Sequence, residues 1–405
     1  MSITKTASEI YKLSVNQENI LFEGIWEIPN GVNLNSFIVK GEKTAIIDGV
    51  CNWDGYPETL FKMLEEMDID VQSLEYAVIN HMEPDHSGWI EDLRKIKPNI
   101  KLVCSQAAKN LLEVFYGHTE NITVVKDGDT LDLGGRELSF VTIPNVHWPD
   151  TIATYDSETG TLFTCDAFGS FGTIAENKGY DDELTEEELK FYEKEAVRYY
   201  ANIVATFSSA VLKAIDKCAG LDIKIIAPGH GLVWRKDPSR IIKDYIRYAN
   251  YQCNPEKNEI TLIWGSMYGM TEKGVEHIKN TLEKTDVKVN VHKATEDSWG
   301  TILASAWTSK GIILAMPTYE YKMFPPVAAV IEELLKKRVI NRLAFRIGSY
   351  GWSGGAEKEL KEIMDKYKCP WEFIESVEFK GTPTQEHFDL IDERLKEFVE
   401  LLKER

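Results

Sequence analysis

The residues able to do chemistry begin at His81-Met-Glu83-Pro-Asp85-His86, four metal-ligand side chains within six residues. One histidine alone would be read as ordinary packing, but four nitrogen and carboxylate donors this close ask for a cation. Pro84 is expected to keep the motif out of a regular helix, so that side chains at offsets 0, 2, 4 and 5 can converge. Three more candidates lie downstream: His147, Asp166 and His230. Each follows a strand-like run, at 138–143, 161–165 and 223–227, as the first motif follows 76–79. The set of four imidazoles and three carboxylates is enough for two metal ions with one carboxylate shared between them. Added carboxylates favour the harder, redox-active iron or manganese, and Glu83 stands where a histidine would favour zinc. Two-zinc hydrolysis is the competing chemistry, since it also needs His and Asp around an activated water. His118, His277, His292 and His387 read as surface or packing residues.

A second constellation is built from loops. After the strand-like 260–264 come Gly265, Ser266, Met267, Tyr268, Gly269, Met270 and Thr271, then a helical pattern. Glycine and hydroxyl residues at a strand-to-helix junction form an anion cradle from backbone N–H groups. The loop lacks the Gly-Lys-Ser/Thr ending of a nucleotide P-loop and is not G-x-G-x-x-G, so a single phosphate monoester suits it better. Two further loops are expected at the same sheet end: Pro317, Thr318 and Tyr319, and Ser349, Tyr350, Gly351, Trp352, Ser353 and Gly354. Their glycines admit a flat ring close to the backbone, and Tyr350 and Trp352 offer stacking faces. A phosphate cradle beside stacking aromatics suggests flavin mononucleotide, FMN.

The elements that must position these groups fall into two parts. Asn250–Asn258 is polar, carries the helix-breaking Pro255 and precedes a strand, so domains are predicted at 1–254 and 255–405. Charge agrees, with a net of −3 for residues 255–405 and −16 for the remainder. In the second part, strands at 260–264, 287–291, 311–316, 343–348 and 372–379 alternate with helical patterns at 272–284, 298–309, 326–337, 356–367 and 385–402. That alternation predicts an open, doubly wound parallel sheet. The first part shows short strands such as 44–48, 76–79, 100–103 and 138–143, few helices between them, and a wholly helical stretch at 181–217. A mixed α/β sandwich is the reading.

Composition narrows the class. With 405 residues, 43% of them apolar, the chain can fill more than one core, and a net charge of −19 gives no attraction for nucleic acid or anionic membranes. No apolar run approaches a membrane span, and residues 1–20 lack a signal-peptide pattern. Six cysteines are scattered singly with no C-x-x-C, which argues against a disulfide framework or a rubredoxin module. A reduced, cytoplasmic protein is expected.

Taken together, the chain resembles the flavodiiron proteins (A-type flavoproteins) over nearly its whole length, in a core two-domain form. His81-x-Glu83-x-Asp85-His86 with His147, Asp166 and His230 looks like that family's full iron-ligand set, and the loops 266–271 and 349–355 match its flavin loops. The resemblance implies an α/β chain: a metallo-β-lactamase-like αββα sandwich followed by a flavodoxin-like domain. It also implies one iron on His81, Glu83 and His147, another on Asp85, His86 and His230, and Asp166 bridging. The family, typical of anaerobes, reduces dioxygen to water, nitric oxide to nitrous oxide, or both. Two ferrous ions and a reduced flavin hold the four electrons that dioxygen needs. A head-to-tail homodimer or dimer of dimers is implied, so that one chain's flavin faces its partner's irons. No electron-donor module follows residue 405, so an external donor is expected, either rubredoxin or a reduced deazaflavin coenzyme. The alternatives are a di-zinc hydrolase with a regulatory flavodoxin-like domain, and a non-catalytic flavin carrier with a structural metal.

Overall fold

The structure is a computed structural model that describes residues 1–51, 56–176 and 178–405. These divide into two compact units: Met1–Gly24, Ile28–Tyr200 and Phe207–Ile246 form one, and Ile25–Glu27, Ala201–Thr206 and Arg247–Arg405 the other.

In the first unit a seven-stranded sheet runs in chain order through Ser2–Ala7, Ile10–Gln17, Val32–Lys40, Thr44–Ile47, Leu74–Ile79, Lys101–Cys104 and Ile122–Val124. Its first four strands are antiparallel and the later ones parallel. A five-stranded sheet follows, also in chain order, from Thr130–Asp132 to Ile225–Pro228. Successive residues in a strand point to opposite faces, and both faces of the first sheet are apolar. Ile47, Val78 and Val103 therefore meet Phe140, Phe163 and Ala227 of the second sheet. Their neighbours Ile46, Ala77 and Leu102 pack outward with Leu60, Leu93 and Leu112, from the helices Tyr56–Glu66, Ile90–Ile96 and Gln106–Tyr116. The sandwich is as read, but the sequence reading does not anticipate those helices between the strands.

The expected helical stretch at 181–217 is broken. A capping box of Thr185 and Glu188 starts the helix Glu186–Tyr199. A π-helical turn at Tyr200–Val204 and a 3₁₀ turn then precede the helix Ser208–Cys218. Pro84 also behaves differently from the expectation. It sits in the first turn of a short helix, Pro84–Ser87, where its missing N–H costs nothing.

The second unit is the predicted parallel sheet. Its strands Lys257–Trp264, Lys288–Lys293, Ser309–Ala315, Arg342–Tyr350 and Trp371–Phe373 lie in the order second, first, third, fourth, fifth, the flavodoxin-like arrangement. The expected strand at 372–379 is two pieces, Trp371–Phe373 and Val377–Lys380, both paired with Arg342–Tyr350 at different heights. Leu262, Phe345 and Ile347 form one core with Ile278, Leu395 and Phe398 of the flanking helices. Among the described residues no helix is long and apolar enough to cross a membrane.

A candidate di-metal centre and a flavin crevice

All four ligand segments end strands at one rim of the sandwich. Asn80, just past Leu74–Ile79, ties that rim together. Its N–H and side-chain amide donate to Asp48, its side-chain oxygen accepts from Thr154, and its carbonyl accepts from the Ile152 N–H. Those partners belong to both sheets, so the loop carrying His81 and Glu83 is held from two sides. Cys165 ends its strand at φ +49° and turns Asp166 off the strand line. The His230 loop is gripped by Asn35, whose amide donates to the Pro228 and Gly231 carbonyls.

The seven side chains meet. His81, Glu83, His147 and Asp166 form one buried group and Asp85, His86 and His230 another, each with its ligand atoms within 4.8 Å of one another. His147 Nε2 lies 2.8 Å from Glu83 Oε2, and His230 Nε2 lies 3.1 Å from Asp85 Oδ2. Asp166 divides its oxygens between the groups. Oδ2 lies 3.2 Å from His81 and 3.3 Å from His147. Oδ1 lies 3.0 Å from His86 and 3.4 Å from His230.

Every imidazole presents Nε2 to the centre. His230 Nδ1–H donates to the Asn33 carbonyl at 2.9 Å, and His81 Nδ1 lies 3.5 Å from Asp150 and from Thr151. Such outer contacts fix the tautomer that leaves Nε2 a lone pair for a metal. At His81, Glu83, His86, His147, Asp166 and His230 burial works against charge, yet the neighbours prevail. His230 is lifted to about 10 by Asp166 and Asp85, and His147 to about 9 by Asp166 and Glu83. Against the same burial, the His147 and His81 contacts hold Glu83 at about 2, and the four histidines hold Asp166 well below the carboxylate range. Three buried carboxylates in such a cluster need cationic charge beside them, from protonated histidines without metal and from metal ions once these displace the protons. Asp85 Oδ1 and Asp166 Oδ2 are moreover buried with no hydrogen-bond partner. A nitrogen and oxygen donor set of this kind fits two iron ions.

Three contributors escape the sequence reading. Asp150 accepts from the Met82 N–H as well as facing His81. Tyr199 donates from its hydroxyl to Asp166 Oδ1 at 2.9 Å. Cys165 lies with His86 and Asp166 in a third ligand-like grouping. Asp150 closes the His147-Trp-Pro-Asp150 run and could be noticed there, whereas nothing marks Tyr199. The other four histidines lie outside these groups: His277 pairs with Asp392, His292 with Asp297, His387 caps a helix, and the His118 ring lies beside Tyr116.

In the second unit the three loops line one crevice of about 400 Å³, within the range of small-ligand sites. Ser266, Met267 and Tyr268, Pro317, Thr318 and Tyr319, and Ser349 to Ser353 all line it. Gly269, at φ +82°, caps the helix Met270–Leu282, and its N–H donates to the Ser266 hydroxyl. Thr271 lies buried, its hydroxyl 2.8 Å from that of Ser349. Tyr268 and Trp352 are 86% and 81% exposed, so their rings are open to a flat ligand. An anion cradle between exposed aromatics fits FMN.

Residues 32–231 match the ODP family beta lactamase. The chain is 33% identical over 341 residues to the nitric oxide reductase of Moorella thermoacetica, covering 84% of this chain and 83% of that one. The chain belongs to the flavodiiron protein family. It is also 35% identical over 337 residues to the anaerobic nitric oxide reductase flavorubredoxin of Vibrio vulnificus, covering 82% of this chain and 66% of that protein's length. Among solved structures, rubredoxin oxygen:oxidoreductase from Desulfovibrio gigas superposes with TM-score 0.92 at 25% identity, covering 99% of both chains. A point mutant of the flavo di-iron protein from Thermotoga maritima gives 0.88 at 28%, covering 98% of this chain and 99% of that one. The chain is thus a flavodiiron oxidoreductase, with the αββα and flavodoxin-like folds expected of one, and its family's cofactors are FMN and a di-iron centre.

Proposed function

We propose that the protein reduces a diatomic gas, dioxygen to water and nitric oxide to nitrous oxide, with electrons from an external donor. Residues 1–254 hold two irons and residues 255–405 hold FMN. The observation that carries the reading is the division of the Asp166 carboxylate between two histidine-rich groups. His81, Glu83 and His147 ligate one iron, Asp85, His86 and His230 the other, and Asp166 bridges. When bound, the irons supply a reducing site for the diatomic and the flavin supplies further electrons.

The chain's own work is placement. Asn80 and Asn35 fix the ligand loops, and the Nδ1 contacts of His81 and His230 keep their Nε2 atoms free. The Tyr199 hydroxyl holds a proton against Asp166 Oδ1, which sets the plane of that carboxylate. Ser266, the backbone at Gly269 and the rings of Tyr268 and Trp352 seat the flavin. The activities for which the Moorella and Desulfovibrio proteins are named support nitric oxide and dioxygen respectively. Rubredoxin is the donor in the latter's name, and a reduced deazaflavin coenzyme is the second donor to try. We place the protein in the cytoplasm as a head-to-tail homodimer or a dimer of dimers.

The test is metal and flavin content of anaerobically purified protein, followed by gas consumption with each donor. Two irons and one FMN per chain with gas consumption uphold the reading. Two zincs per chain without it would make the protein a hydrolase, and one metal or none a carrier.

A further inference from the structure

Behind the metal rim, between the five-stranded sheet and the helices Ser208–Cys218 and Pro238–Asn250, lies a cavity of about 150 Å³ whose walls expose almost no polar atom. Leu162 and Ile226 form its sheet side, and Val211, Ala214 and Ile215 its helix side. The hydroxyls in the wall are committed elsewhere: Thr164 donates to the Ala167 carbonyl and Tyr245 to the Gly169 carbonyl. Water entering here would find nothing to bond, and an apolar cavity of this size stays dry and takes up xenon or a small apolar molecule. Two wall residues are chain neighbours of the centre, since Val146 precedes His147 and Ala167 follows Asp166. At the other end Ala214, Ile215 and Ile242 are only half-buried, so the space reaches towards solvent between the two helices.

The geometry points to this cavity as a binding site for a small apolar gas, which concentrates the diatomic substrate beside the metal rim. Its volume is too small for a peptide, and its dry walls reject ions and polar metabolites. A nonpolar diatomic pays almost no desolvation cost to enter. The role in supply rests on the reading of the substrate as a diatomic gas, whereas gas binding itself does not.

Pressurising crystals of the holoprotein with xenon reads the site directly. The expected result is a xenon atom among Leu162, Val211 and Ile226, lost in Val211→Phe and reduced in the milder Ala214→Leu. In steady-state assays both variants should raise the KM for the gas by roughly three- to tenfold with kcat kept, because supply and not chemistry is altered. An unoccupied cavity in pressurised wild-type crystals overturns the proposal, as does an acyl chain or a second copy's side chain filling it. Xenon bound with KM unchanged in both variants overturns the supply role. Xenon bound in a protein that consumes no gas upholds the binding site and overturns the catalytic reading instead.

Discussion

Asp166 is the residue on which both histidine groups depend, with one oxygen committed to each. Asp166→Ala should abolish gas consumption and lower bound iron while leaving FMN in place, read by metal analysis and the flavin absorbance of the same sample. Asp150 acts at one remove. Asp150→Asn weakens the hold on His81 and should cost about 10- to 100-fold in metal affinity, the usual effect of losing such a support, measured by chelator competition. Far from the rim, Lys12 is fully buried, with its ammonium 3.2 Å from the Gly179 carbonyl and over the Tyr180 ring. Burial pushes it down from 10.5 to about 7. Between those values the unfolded chain keeps a proton that the folded one has released, so stability gains with rising pH. Lys12→Met should therefore raise the urea midpoint at about pH 6, and its advantage should shrink towards about pH 10. The seven candidate ligands are legible in the sequence because imidazole and carboxylate seldom cluster by accident. Tyr199 is not, because a tyrosine hydroxyl on a helix gives no sign in sequence of what it faces.

At the scale of elements, the strand ends decide where chemistry happens. The His230 loop needs Gly231 at φ +78°, and a Cβ there would sit 2.1 Å from the Ser170 hydroxyl. Gly231→Ala should lose about 1–3 kcal/mol in urea unfolding, the usual cost of such backbone strain, and bind less iron, since His230 is one residue away. In the second unit Phe398, fully buried, packs over Gly311, where a Cβ would come within 3.0 Å of its ring. Phe398→Ala should cost about 3–5 kcal/mol, by the same measurement, through the cavity it leaves. The βα alternation of that unit can be read from sequence because its strands, buried on both faces, form short apolar runs between amphipathic helices. Its last strand reads as continuous because nothing in Glu372–Phe379 shows that two pieces pair with different stretches of one neighbour. In the first unit the sequence reading misses the helices between strands, although Tyr56–Glu66 and Gln106–Tyr116 are amphipathic and bury Leu60 and Leu112 against the sheet. The π turn at Tyr200–Val204 directly follows Tyr199, and such turns are frequent at functional sites.

At the scale of the whole molecule, the two units keep different chemical characters, strongly acidic for residues 1–254 and nearly balanced for residues 255–405. The candidate metal centre lies in one unit and the flavin crevice in the other, and in the proposed head-to-tail assembly one copy's flavin would serve its partner's irons. Sedimentation should find active protein at twice or four times 46.1 kDa, and an active, strictly monomeric species would refute the head-to-tail arrangement. The most direct test of the central claim is anomalous diffraction across the iron absorption edge, on crystals of anaerobically purified protein. The account predicts two iron peaks, one among His81, Glu83 and His147 and one among Asp85, His86 and His230, with the Asp166 carboxylate touching both. A single peak, or two that vanish at the iron edge and appear at the zinc edge, would contradict it.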